Sequence, residues 1–231
     1  MYQNILPERK VGEDMNHDQP DLNRQNFGNG YYPPGHYPYI NMIPPDKLIP
    51  NDIHIVHIAH NLSLINRFAG AIPYSVAEHC LLCSSMVQQL VPELDPTKLA
   101  TLQLCALLHD AHEAYIGDII EPVADILGDA FKQQLRKLKH FIDVQIAAAV
   151  GLLAIQVTAV GIIDKRILDF ELWHFFNIES VKHVEESRMY QTIRNEFICY
   201  PPAEAEAHYL AAYYDLMAVW AQEDDTEAVT V

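Results

Sequence analysis

The stretch DPTKLATLQLCALLHDAHEAYIGDIIEP, residues 95–122, decides how this chain folds. Asp95 followed by Pro96 reads as a helix opening. An aspartate at the cap accepts from first-turn amides, and proline loses nothing where the N–H has no helical partner anyway. Leu99, Leu102, Ala106, His109 and Glu113 then fall along one helical stripe that begins apolar and ends in titratable groups. Gly117 is placed to stop the helix and swing Asp118 back to the same side, because on an unbroken helix nine residues from His109 is half a turn away.

The same periodicity extends in both directions. Upstream, Asn51 or Asp52 can cap a helix running to about Phe68, with Gly70 to end it and with His60 and Arg67, seven apart, on one face. Ser75-Val76-Ala77-Glu78 is a capping box, so His79 falls just past a helix start. Downstream, helices are predicted over roughly 125–149, 160–180 and 203–221. Glycine is sparse and no long alternating runs flank hairpin signals, so the predicted class is all-α. Three regions follow: an irregular, Pro/Tyr/Asn-rich segment 1–50, one domain over 51–222 and an acidic tail 223–231.

Half of the 231 residues are apolar, enough for a sizeable core, and the formal charge is −16 with a pI near 5.0. That balance argues against tracking a nucleic-acid polymer, which needs a positive stripe to displace counterions. Val144 to Ile163 is apolar but holds Gln145, Gln156, Thr158, Gly151 and Gly161, so buried helix, loop and buried helix is expected rather than a membrane span. Cys80, Cys83, Cys105 and Cys199 lie in helix-like apolar segments, where buried small hydrophobes are favoured over C-x-x-C metal or redox chemistry. With no secretory signal, the expected compartment is the cytoplasm, or the host cytoplasm if the chain is phage-encoded.

His109 and Asp110 project about 100° apart on a helix and can grip one divalent ion if other helices supply more ligands. His79 is the natural third ligand, and a carboxylate from IIDKRILDFE, residues 162–171, the fourth. Within that segment Glu171 shares a face with Asp164 and rivals it, whereas Asp169 is turned about 140° away. Glu113, one turn along from His109, sits where a general base belongs. His112 lies to one side of that stripe and is read as outside the first set of ligands. His54, His57 and His60 drift around their helix, which makes three on one ion strained.

Four blocks in order, NDIHIVHIAHNLSLINRFAG, YSVAEHC, ALLHDAHEAYIGDIIEP and GIIDKRILDFE, resemble the HD-domain nucleotide phosphohydrolases, a family that includes 5′-deoxynucleotidases and phage-type dATP triphosphohydrolases. The resemblance implies an HD-domain helical bundle whose divalent metal, of unspecified identity, is held by His79, His109, Asp110 and Asp164. It implies that Glu113 orients or deprotonates the attacking water, that Arg67 meets phosphate, that Phe68 crowds the sugar 2′ position, and that Asp118 positions the sugar. Pro122 matches a substrate-site proline. The family's lysine is Ala124 here, and Lys132, Arg136, Lys139, Lys165 and Arg166 are the cations that could replace it. The implied reaction is dATP to deoxyadenosine and triphosphate, with 5′-deoxynucleotidase action on monophosphates as the alternative and a non-catalytic nucleotide-binding protein as a third reading. A homo-oligomer, dimer or hexamer, is expected from the family and from Tyr209, Tyr213, Leu216 and Trp220 on the last helix.

Overall fold

Two amides redirect the chain just before the site. Arg67 N donates to Tyr74 O at 2.9 Å and Val76 N to Ile65 O at 2.9 Å, so residues 65–67 pair with 74–76 instead of continuing a helix. The first helix, α1, is therefore Ile55–Leu64, shorter than the predicted span, and Pro50–Asp52 before it is a single 3-10 turn. Phe68, Ala69 and Gly70 have φ of 56°, 54° and 81°, a left-handed turn in which only the last residue is glycine. Such a turn costs an L-residue about 1–2 kcal/mol, so the surrounding contacts must hold it in place. His60 and Arg67 consequently do not share a face; His60 Nδ1 instead lies 3.0 Å from Glu206 Oε2.

The computed structural model describes residues 44–155, 157–186, 188–197 and 199–221. The expectations for residues 1–43 and for the acidic tail lie outside the described residues. After α1 come α2 (Val76–Leu90), α3 (Pro96–Leu108), α4 (Glu113–Ile116), α5 (Glu121–Leu127) and α6 (Asp129–Val150). They are followed by α7 (Thr158–Phe176), the 3-10 segment Glu179–Glu186, α8 (Arg188–Glu196) and α9 (Pro202–Trp220). Among the described residues there is no strand, only the isolated bridge between Asn66 and Ser75, and the fold is an all-α bundle.

Two of the predicted helix starts form as read, whereas the start capped by Asn51 or Asp52 does not, because α1 opens after His54 without a side-chain cap. Asp95 Oδ1 accepts from Thr97 N at 3.0 Å, while Ser75 and Glu78 exchange backbone bonds at 2.7 and 3.3 Å. The helix predicted over 125–149 is divided at Gly128, whose φ of 86° no helix interior permits. Gly151, φ 81°, ends α6, and a Cβ there would sit 3.2 Å from the Trp220 ring, so this glycine also lets the last helix close on the loop.

Helix α2 packs on α3 and α7, and α9 lies across α1, α2 and α3. Ile58, Leu62, Met86, Leu104, Leu107, Ile142, Ile146 and Phe170 fill the core they enclose. Tyr209 is fully buried, its hydroxyl donating to Leu107 O at 2.8 Å, and Tyr213 is buried too. The aromatic stripe of the last helix thus serves this chain's own core and is not evidence for self-association. No helix among the described residues is long and apolar enough to cross a membrane.

Candidate metal centre

Three helices and one turn converge where α2, α3 and α7 meet. His79, in the second turn of α2, is fully buried. Its Nδ1–H donates to Glu171 Oε1 at 2.7 Å, because a carboxylate can only accept. That fixes the tautomer and turns the Nε2 lone pair inward. His109, at the end of α3, donates from Nδ1 to Ala106 O at 2.8 Å, with the same consequence.

The two Nε2 atoms lie 3.3 Å apart. Asp164 Oδ1 is 3.2 Å from His79 Nε2 and 3.8 Å from His109 Nε2, while Asp110 Oδ2 is 3.2 Å from His109 Nε2 and 3.8 Å from His79 Nε2. With the imidazoles neutral, two lone pairs and two carboxylate oxygens cannot satisfy one another, whereas a divalent cation at their centre would. The donor set is that of a borderline transition-metal site. Cys83 Sγ, 3.6 Å from His79 Nε2, joins His79, His109 and Asp164 in a group able to hold an ion.

The charges agree with that geometry. Burial opposes a charge on His109, yet Asp110, Cys80 and Asp164 outweigh it and hold its pKa well above the ordinary histidine value. Burial and Arg67 likewise press His79 down, while Cys83, Glu171 and Asp164 lift it further. Asp164 is held well below the usual carboxylate range: burial pushes it up, but hydrogen bonds from both histidines prevail. A cation held here would displace protons from imidazoles set in a strongly negative field.

Glu171 and Asp164 are seven residues apart on α7 and occupy opposite sides of one ring. Asp164 meets the Nε2 face of His79, and Glu171, fully buried, meets Nδ1. Glu171 Oε2 also accepts from Arg67 Nε and Nη2 at 3.1 and 2.9 Å. Arg67 Nη1 remains 3.7 Å from Asp110 Oδ2. The arginine therefore braces the carboxylate that orients His79 while reaching the edge of the cluster. Phe68 is half-buried beside it, its ring 5.4 Å from the guanidinium carbon and edge-on to Phe176 at 5.0 Å.

Between α3 and α4 the chain winds more tightly than an α-helix. Ala111 N donates to Leu108 O, Glu113 N to Asp110 O, Ala114 N to Ala111 O and Tyr115 N to His112 O, all three residues back. In such 3-10 winding, residues three apart are eclipsed. Glu113 therefore groups with Asp110 and His112 rather than with His109. Glu113 is buried, and its Oε2 has no hydrogen-bond partner. Burial first, then Asp110 and Asp118, push its carboxyl well above the usual range. Asp118 is half-buried after Gly117, close enough to act on that carboxylate. Pro122 is exposed at the second position of α5, where its fixed φ suits a helix start.

Residues 67–143 match the family model described as HD domain. That matched stretch, about a third of the chain, is similar to an HD domain. It contains His79, His109, Asp110 and Glu113, with Asp164 and Glu171 supplied from beyond its matched end. Within and beside that stretch, the cluster around the His109-Asp110 pair is able to hold a metal ion. The chain is 38% identical over 128 residues to the uncharacterized protein YfdR of Escherichia coli (strain K12), a match covering 54% of this chain and 63% of YfdR. It is 41% identical over 86 residues to the uncharacterized protein RCAP_rcc00048 of Rhodobacter capsulatus, covering 36% of this chain and 42% of that protein. The chain thus spans less than two thirds of the length of either curated relative.

Sequence reasoning passed over Cys83 as a site member, although it stands four residues from His79 on the same helical face. It named Lys139 only among several cations. The structure sets Lys139 Nζ 3.9 Å from Glu113 Oε1, while Lys132 pairs with Asp125 and Lys165 with Asp169.

Proposed function

We propose that this protein hydrolyses deoxynucleotides by water attack on the α-phosphorus, with dATP as the first substrate and deoxyadenosine plus triphosphate as products. The observation that carries the hydrolytic reading is the juxtaposition of the four-ligand cluster with Glu113, a buried carboxylate with one oxygen free to take a proton. The choice of dATP rests on the resemblance of the sequence blocks to phage-type dATP triphosphohydrolases. Action on deoxynucleoside monophosphates, releasing phosphate, is the second reading.

His79, His109, Asp110 and Asp164 would hold a divalent ion, which when bound neutralises charge on phosphate oxygens and acidifies water. Glu113 takes the proton of the attacking water as the P–O5′ bond breaks and passes it on to the departing 5′ oxygen, which leaves as the hydroxyl of the nucleoside. Arg67 and Phe68 flank the phosphate and the sugar, and Asp118 positions the sugar. Ala124, where the family has lysine, is buried in α5. Lys139 takes over that charge from α6, beside Glu113.

Purified protein is incubated with each dNTP and dNMP in the presence of Mn²⁺, Co²⁺, Zn²⁺ or Mg²⁺, and products are separated by chromatography. Deoxyadenosine with tripolyphosphate is expected, Glu113→Gln should bind nucleotide without turnover, and Lys139→Met should raise KM for triphosphates more than for monophosphates. Hydrolysis of none of these substrates by the native chain would refute the proposal.

A further inference from the structure

Beside the first cluster stands a second set of donors that it does not use. Asp110, His112 and Glu113 each offer one ligand atom, and these three atoms lie within 4.8 Å of one another. Donors at about 2.1 Å from one ion lie about 3.0–3.4 Å apart when neighbouring and about 4.2 Å apart when opposite, so side-chain rotations of about an ångström close this set.

The condition of His112 distinguishes these residues from a chance acidic pair. Its Nδ1–H donates to Asp143 Oδ1 at 2.9 Å, a buried carboxylate on α6. The tautomer is thereby fixed, and Nε2 carries a lone pair. His112 is 4% exposed and its Nε2 has no hydrogen-bond partner. Glu113 is 5% exposed and its Oε2 has none either. As a carboxylate and a neutral imidazole, both orphaned atoms are acceptors, and neither then relieves the other. Buried polar atoms of folded proteins are nearly always satisfied, and two acceptors left beside a third carboxylate call for a cation. Lys139 addresses only the other oxygen of Glu113, from 3.9 Å.

We propose that Asp110, His112 and Glu113, backed by Asp143, form a second divalent-cation site that shares Asp110 with the first. One imidazole and two carboxylates suit Mn²⁺, Co²⁺, Zn²⁺ or Fe²⁺. The inference deepens the proposed hydrolysis: it shares Asp110 with the first centre and Glu113 with the water-activating step, and with the second ion bound Glu113 would serve as its ligand while the ion acidifies the attacking water. Two ions about 3.5–4 Å apart would clamp both the attacking and the leaving oxygen of an in-line displacement.

The full chain is stripped with chelator and titrated with Mn²⁺, with stoichiometry read by equilibrium dialysis and the ions' coupling by electron paramagnetic resonance. Two equivalents and an exchange-coupled signal are expected. His112→Asn keeps an amide donor for Asp143 but lacks Nε2, and should bind one equivalent with an isolated-ion spectrum. One equivalent in the native chain, or two retained by His112→Asn, overturns the second site. If His112→Asn does not fold, the doubly loaded native chain decides, because an uncoupled spectrum there also overturns it. His79→Asn separates the two centres: if it leaves the count at two, the first centre fails while the second stands.

Discussion

Glu171→Gln tests the centre from behind. Glu171 is fully buried, accepts from His79 Nδ1 at 2.7 Å, and carries the negative charge opposite Arg67, whose side chain is 11% exposed. Glutamine keeps the shape and one acceptor oxygen but removes the charge, leaving a nearly buried guanidinium with Asp110 at 3.7 Å as its remaining carboxylate. Breaking one side of a buried pair costs about 3–5 kcal/mol, and the retained amide oxygen places this case near 3. For a domain of this size that corresponds to a loss of roughly 6–12 °C in Tm. The second effect falls on the metal: an imidazole that loses the carboxylate behind it binds its ion about 10–100-fold more weakly. Calorimetric titration with Zn²⁺ or Mn²⁺ and thermal unfolding of the metal-free protein measure the two effects separately. Adding Arg67→Met to Glu171→Gln should recover most of the Tm but none of the metal affinity, since the ion pair is then gone while His79 still lacks its brace. Unchanged affinity in Glu171→Gln would refute the assigned role.

Glu113→Gln should abolish turnover, by about 10²–10⁴-fold for loss of a general base, and stabilise the metal-free protein at neutral pH. A carboxyl whose folded pKa is raised contributes stability below its unfolded pKa and loses it as pH rises through the folded value, so the variant's Tm advantage should be absent near pH 4 and grow with pH. Metal affinity should climb with pH, by up to ~10-fold per unit for each proton displaced, because His79 and His109 are both raised well above the ordinary value; titrations between pH 5.5 and 8 would show it, and a flat profile would contradict it. Ala69→Gly should gain up to about 1 kcal/mol in urea unfolding by relieving the φ of 54°, whereas Gly70→Ala, at φ 81°, should lose about 1–2.

What could be read beforehand followed from interactions within a few residues. The Ser75–Glu78 box, the Asp95-Pro96 opening and the helix that carries the apolar stripe from Leu99 to Ala106 are local, and each forms as the sequence predicts. The early end of α1 was not legible, because it depends on Ile65 and Arg67 pairing with residues 74–76 and on left-handed angles at Phe68 and Ala69, which favour no residue type beyond glycine. The division of a helix at Gly128 and the helical segments between 179 and 196 were missed for related reasons. At the site, spacing placed Asp164 and Glu171 on one face but could not say which side of an imidazole each would meet; that depends on how α2 crosses α7. Cys83 was passed over because its i, i+4 relation to His79 is also what a buried apolar stripe shows.

The tight winding from Leu108 to Tyr115 bears on how His-Asp motifs are transplanted. At about 100° per residue, three steps leave Glu113 about 60° short of Asp110, whereas at about 120° they bring it directly above. A scaffold that copied HDAHE onto a regular helix would keep every letter and misalign the carboxylate. The spacing in this tract therefore encodes an angle as well as a distance, and a graft succeeds only if the host segment can be overwound for one turn.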